Sequence, residues 1–207
     1  MLTRTNCTFN RMNYLAHAYL SFGEPHILVG NMISDFVKGG QKSLYAASVQ
    51  KGIVLHRAID AFTDDHPATA KAKQIFRPVY RLYSGPIMDI LYDHFLANDK
   101  NVFPGDSLLS FTNSVYQTLE EEAAHLPQRF LPVFTYMKME NWLYHYRTTD
   151  GIYKSLRGLV RRAAFISDSK PAFKLLLKHY DELRECYEEF FPAVKQTTKE
   201  KLAQLLA

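Results

Sequence analysis

The sequence predicts an all-α fold, a single helical domain within a chain of 207 residues. Three observations carry this. Apolar residues recur at helical spacing along nearly the whole chain. No segment combines long alternating hydrophobicity with a hairpin turn pair. Glycine and proline fall mostly between the patterned stretches, where they punctuate helices. No repeat, low-complexity tract or linker interrupts the pattern, and the length suits one domain with a substantial core.

The expected helices follow in order. The first covers residues 13–21 and stops at Gly23-Glu24-Pro25. The second extends to about Val37 and ends at Gly39 and Gly40, residues suited to a helix C-terminus. The third covers 43–63, and Pro67 then restarts the chain toward Tyr83. Ser84-Gly85-Pro86 is the next punctuation, with Pro86 placed in a first turn. The helix after it carries Ile87, Ile90, Leu91, Phe95 and Leu96, and 101–105 reads as a loop. Further helices are expected over 107–124, 131–146 and 151–167, and a last segment from Lys170 is interrupted or capped around Pro192. Residues 1–11 read as a flexible extension, which leaves the domain at 12–207.

Composition narrows the function. Hydrophobic residues make up 47% and charged residues 22%, as in a globular protein. Thirteen Tyr and 14 Phe give the core bulk and can line a groove for a thin, partly apolar ligand. Cys7 and Cys186 are too few and too far apart for a disulfide framework or a zinc knuckle, so they read as free thiols in a reducing cytosol. No apolar run approaches the roughly 20 residues of a membrane span, and the N-terminus lacks the apolar centre of a secretory signal. The net charge of +4 is modest, so neither nucleic acid nor membrane is the expected partner. The placement of charge says more. Lys71, Lys73, Arg77 and Arg81 form one basic stretch, and Lys154, Arg157, Arg161, Arg162, Lys170, Lys174 and Lys178 a second, with the acidic run Glu120 to Glu122 between them. They are either solvated helix faces or a dock for an acidic partner.

His56, Asp60 and Asp64 stand four residues apart, so a continuous helix projects all three along one side, beside the apolar Ile53, Leu55, Ile59 and Phe62. Asp93-His94 places two ionisable groups inside an apolar run, where charged residues rarely go unpartnered. Adjacent helical positions differ by about 100°, so only one of the pair is expected to face a given site. Asp35 lies near a helix C-terminus, where the dipole disfavours a negative charge, and a metal or Lys38 would compensate it. His17 sits in an aromatic segment and reads as a core residue or a further ligand. This mixed imidazole and carboxylate set suits Mn²⁺, Mg²⁺ or Fe²⁺, while the absence of thiolates disfavours a structural zinc. A metal there would acidify water and neutralise a phosphate oxygen. With neither a Gly-rich phosphate loop nor Gly-x-Ser-x-Gly in the sequence, metal-activated water is the economical nucleophile.

These residues resemble a known family. Met12-Asn13-Tyr14-Leu15-Ala16-His17 is similar to the N-terminus of bacterial acyl carrier protein phosphodiesterases. Gly30-Asn31-Met32-Ile33-Ser34-Asp35-Phe36-Val37-Lys38-Gly39 resembles that family's Gly-Asn-x-x-x-Asp-Phe segment. Gly52 to Asp64, with His56-Arg57, Ile59-Asp60 and Thr63-Asp64, resembles its His-Arg-x-Ile-Asp block, and Asp93-His94-Phe95-Leu96 its Asp-His-Phe-Leu. Trp142-Leu143, Tyr146-Arg147, Gly158 and Arg161-Arg162 follow in the family's order. The resemblance implies a bundle like that of the HD phosphohydrolases, dependence on Mn²⁺, and hydrolysis of the diester between 4′-phosphopantetheine and the serine of acyl carrier protein. It implies a catalytic role for Asp35, and metal-shell roles for Asp35, His56, Asp60 and Asp93, with His17, Asp64 and His94 as further candidates. The HD order places His directly before Asp, whereas this chain has Asp93-His94, so ligands are not assigned by that analogy.

Arg57, next to His56, is suited to grip a phosphate bidentately. Arg77, Arg161 and Arg162 are expected to steer the acidic carrier protein. Two other functions share these features: a metal phosphohydrolase acting on nucleotides or other small phosphoesters, and a carrier-protein binder without catalysis.

Overall fold

Helix starts in the computed structural model, which describes residues 14–207, follow the prolines. Pro25 opens α2 (Pro25–Ile33) and Pro67 opens α4 (Pro67–Tyr80). Pro132 and Pro171 lie in the first turns of α7 (Leu131–Met139) and α10 (Lys170–Lys178). A proline there forgoes an N–H that has no intrahelical partner anyway. The other helices are α1 (Tyr14–Tyr19), α3 (Ala47–Asp65), α5 (Ser84–Asn98), α6 (Ser107–Glu121), α8 (Trp142–His145), α9 (Thr149–Arg162) and α11 (Tyr180–Leu206). The described residues contain no β-strand, so the expected all-α fold is the fold observed.

Several boundaries differ from the sequence expectation. Helix α2 stops at Ile33, and a single 3₁₀ turn, Ser34–Phe36, carries Asp35. Gly39 does not cap α2; its φ of +54° opens a second 3₁₀ segment, Gly39–Leu44, so α3 starts at Ala47. The segment expected as one helix over 131–146 is broken at Asn141, which takes the left-handed conformation (φ 44°) that asparagine tolerates. The last segment breaks at His179, and α11 runs through Pro192. Pro192 has no N–H to offer the Glu188 carbonyl, and both residues are exposed. The expected extension at 1–11 lies outside the described residues.

One close crossing sets the geometry of the site. Gly30 on α2 faces Gly52 on α3. A Cβ on Gly30 would meet the Val49 carbonyl oxygen at 2.1 Å, and one on Gly52 the Ile27 carbonyl oxygen at 2.3 Å. Only hydrogen fits at either point, so the two backbones touch there. Around this contact Leu15, Val29, Ile33, Ile53, Leu55, Ile90 and Leu91 are fully buried. Helix α11 packs along α3, α4 and α5 and closes the core from the far side.

Candidate metal centre and active site

Three helices bring imidazoles and carboxylates together. Helix α1 supplies His17, and α3 supplies His56 and Asp60 one turn apart. His17 and His56 stack with ring centroids 3.9 Å apart and planes 15° from parallel. His17 Nε2 is 3.2 Å from Asp60 Oδ1, and His56 Nε2 is 3.4 Å from Asp60 Oδ2. The 3₁₀ turn after α2 adds Asp35, whose Oδ1 is 3.5 Å from His56 Nε2. The histidines are buried, whereas Asp35 and Asp60 are 23% and 18% exposed, so the group opens on its carboxylate side.

The short distances do not make ordinary hydrogen bonds. Both nitrogens of His17 and the Nε2 of His56 are buried with no hydrogen-bond partner among the described residues. A buried polar atom without a partner is costly. Here the orphaned nitrogens sit beside the Asp60 carboxylate. Candidate ligand atoms of His17, His56 and Asp60 all lie within 4.8 Å of one another. Ligands of one small divalent cation, each roughly 2.0–2.2 Å from it, span a similar distance. The donor set and its orphaned nitrogens therefore fit a divalent metal.

Asn31 fixes the orientation. The Nδ1–H of His56 donates to the Asn31 carbonyl at 2.8 Å, which leaves Nε2 facing the carboxylates. The Asn31 side-chain amide donates to the carbonyl of His17 at 2.8 Å, so one buried residue ties both histidine-bearing helices. The Gly30–Gly52 contact brings that carbonyl into range. Sequence reasoning did not single out Asn31. The signal was a primary amide inside the apolar stretch Ile27 to Ile33.

Charge follows this arrangement. Burial depresses the pKa of His56, but the Asp35 and Asp60 carboxylates beside its Nε2 outweigh it and raise the value to about 9. His17 moves the other way, because burial and the neighbouring His56 outweigh Asp60 and Asp35. Burial opposes ionisation of Asp60, yet the two histidines hold its pKa well below the usual carboxylate range. The positive charge expected beside Asp35 is thus supplied in part by His56.

The remaining candidates stand elsewhere. Asp93 accepts the backbone N–H groups of Leu15 and Ala16 at 3.1 and 2.8 Å, so it holds the first turn of α1. His94 Nδ1–H donates to the Tyr146 carbonyl at 2.7 Å, and its Nε2 accepts from the Tyr180 hydroxyl at 2.9 Å. It is a satisfied core histidine. Neither member of the Asp93-His94 pair belongs to the His17–His56–Asp60 group. Asp64 pairs with Lys73 at 2.9 Å, one turn beyond Asp60. Arg57 is exposed on α3, with no carboxylate partner among the described residues. Arg77, Arg161 and Arg162 all lie at the surface. The phenol of Tyr14 is buried without a hydrogen-bond partner among the described residues. Burial and then the negative charge of Asp35 raise its pKa, against a lowering from Arg162.

Comparison with known proteins identifies the family of the chain. The model of a family described as acyl carrier protein phosphodiesterase matches residues 12–194. The chain belongs to that family. Relatives named acyl carrier protein phosphodiesterase include one from Photorhabdus laumondii, 31% identical over 92% of this chain and 96% of the relative. One from Enterobacter sp. (strain 638) is 32% identical over 92% and 99%. One from Yersinia pestis is 30% identical over 92% and 99%. No solved structure matches the chain. The family match encloses every residue of the candidate metal group and its Asn31 bridge.

Proposed function

We propose that this phosphodiesterase hydrolyses the diester linking 4′-phosphopantetheine to the serine of holo acyl carrier protein, giving apo carrier protein. The observation that carries this reading is the buried His17–His56–Asp60 group, with Asp35 at its edge, inside a family match that covers nearly the whole chain. His17, His56 and Asp60 would hold Mn²⁺, with Mg²⁺ or Fe²⁺ as alternatives. When bound, such a cation neutralises a phosphate oxygen and acidifies water. Asp35, partly exposed beside His56, accepts the proton of the attacking water. Arg57 grips a non-bridging phosphate oxygen. The water oxygen bonds to phosphorus, the bond from phosphorus to the serine oxygen breaks, and that oxygen takes up a proton.

Docking belongs to the same proposal. The Tyr80 hydroxyl donates to the Asp168 carbonyl at 2.8 Å, and the Tyr83 hydroxyl accepts the N–H groups of Ala164 and Phe165 at 3.1 and 3.2 Å. The end of α4 is thereby joined to the segment after α9, so the basic stretches bearing Arg77 and bearing Arg161 and Arg162 neighbour each other. Such a surface attracts an acidic carrier protein. No described helix is long and apolar enough to cross a membrane. With Cys186 buried and in no disulfide among the described residues, we place the reaction in the cytosol.

The test is substrate class. Holo carrier protein and a panel of nucleotides are incubated separately with enzyme and Mn²⁺, and release of 4′-phosphopantetheine or of phosphate is followed. Release from carrier protein alone is expected. Hydrolysis of nucleotides with carrier protein left intact would favour a small-molecule phosphohydrolase instead.

A further inference from the structure

A groove of about 690 Å³ lies against the exposed side of α9, bordered by α8 and the start of α10. Four cations line it, Lys154, Arg157, Arg161 and Lys170, against two acids, Glu140 and Asp168. Lys154 pairs with Asp150 at 2.9 Å, but Arg157, Arg161 and Lys170 have no carboxylate partner among the described residues. Trp142 also lines the groove, and its ring stacks on Tyr14 with centroids 6.5 Å apart. Tyr14 stands three residues before His17 and opens α1. The wall of the groove is therefore one ring away from the helix that carries His17.

We propose that this groove seats an acidic segment of the carrier protein next to its modified serine, with Trp142 in the contact. The proposal rests on the phosphodiesterase reading above and narrows its basic surface to one groove and one contact residue, Trp142. Charge chooses the occupant. The prosthetic arm carries its charge at the phosphodiester, which is held at the metal group, so the arm has no use for a row of unpaired cations. An acidic protein surface does, and paired charges across an interface steer the encounter. The Trp142–Tyr14 contact supplies the continuity, because it joins the groove to α1, the helix that carries His17.

Trp142 is the chain's one tryptophan, which makes the test direct. Apo carrier protein without tryptophan is labelled and titrated with enzyme. Anisotropy of the label and emission of Trp142 are both recorded, with no turnover required. Both signals should saturate together. The double variant Arg157→Glu, Arg161→Glu should weaken binding at least tenfold, which is about 1.4 kcal/mol. Lys199→Glu with Lys201→Glu changes net charge equally on α11 and should leave affinity near the wild-type value. Carrier binding that the double variant does not weaken overturns the assignment and leaves the phosphodiesterase reading standing. Saturation by a single-stranded oligonucleotide with none by carrier protein also overturns it. If holo carrier protein is never hydrolysed by the wild type, both fall.

Discussion

Asp93 accepts two buried backbone N–H groups at the start of α1, so removing its carboxylate leaves two donors without partners. Each such loss costs roughly 1–3 kcal/mol, and together about 3 kcal/mol is expected for Asp93→Ala. In a domain of this size that lowers Tm by roughly 6–12 °C. Asp35 differs in setting: it is partly exposed on a 3₁₀ turn and its described ion pair is with His56. Asp35→Ala is predicted to keep Tm within about 2 °C of wild type, as surface substitutions usually do, and to lose turnover. Thermal melts and activity of the two variants check this, and an active, folded Asp35→Ala would remove Asp35 from the mechanism. Asp60 faces both histidines, so Asp60→Ala should weaken Mn²⁺ binding at least tenfold by calorimetry; unchanged binding would place the metal elsewhere. Sequence spacing made His56 and Asp60 legible, because an i,i+4 pair shares a helix face. It gave no sign that Asp93 accepts the N–H groups of Leu15 and Ala16, since a buried carboxylate looks the same in sequence whether it holds a metal or a helix end.

At the scale of elements, the site depends on how closely α2 approaches α3. Gly52→Ala would drive a methyl group to 2.3 Å from a carbonyl oxygen and 2.9 Å from the Cα of Gly30. Neither neighbour is a flexible side-chain end, so the helices must part. Overpacking of this kind costs about 3 kcal/mol, and parting the helices lengthens the bond from His56 to the Asn31 carbonyl. The expected result is a lower Tm together with weaker metal affinity in the residual folded protein, read by calorimetry. A Gly52→Ala variant with wild-type Tm would show that the contact is not tight. Helix order and most helix starts were readable because proline and periodicity report local geometry. The ends were not. Asp35 reads as the end of a helix but lies on a separate 3₁₀ turn, whose Phe36 packs edge-on against Phe130, a tertiary contact that local sequence does not announce. The break at His179 likewise carries no glycine or proline to announce it, whereas exposed Pro192 signals one that the helix does not make.

For the whole molecule, the two basic stretches were visible as composition, but only the fold shows that Tyr80 and Tyr83 join them. Exposed charges act within a Debye length of about 8 Å at physiological salt and mainly set the encounter rate. Reversing Arg77, Arg161 and Arg162 to Glu is predicted to lower kcat/KM for holo carrier protein at least tenfold and kcat less than threefold, with the deficit shrinking as salt rises. Steady-state kinetics across a salt series measures this; equal loss of kcat would mean that these residues act in the chemistry or the fold. In the proposed function, a metal held by His17, His56 and Asp60 drives removal of the prosthetic arm. The most direct measurement is intact-mass spectrometry of holo carrier protein after incubation with enzyme and Mn²⁺, with enzyme and chelator, and with the Asp60→Ala variant. Conversion to the apo mass in the first sample alone is the predicted result, and conversion to the same extent in the chelated sample would contradict it.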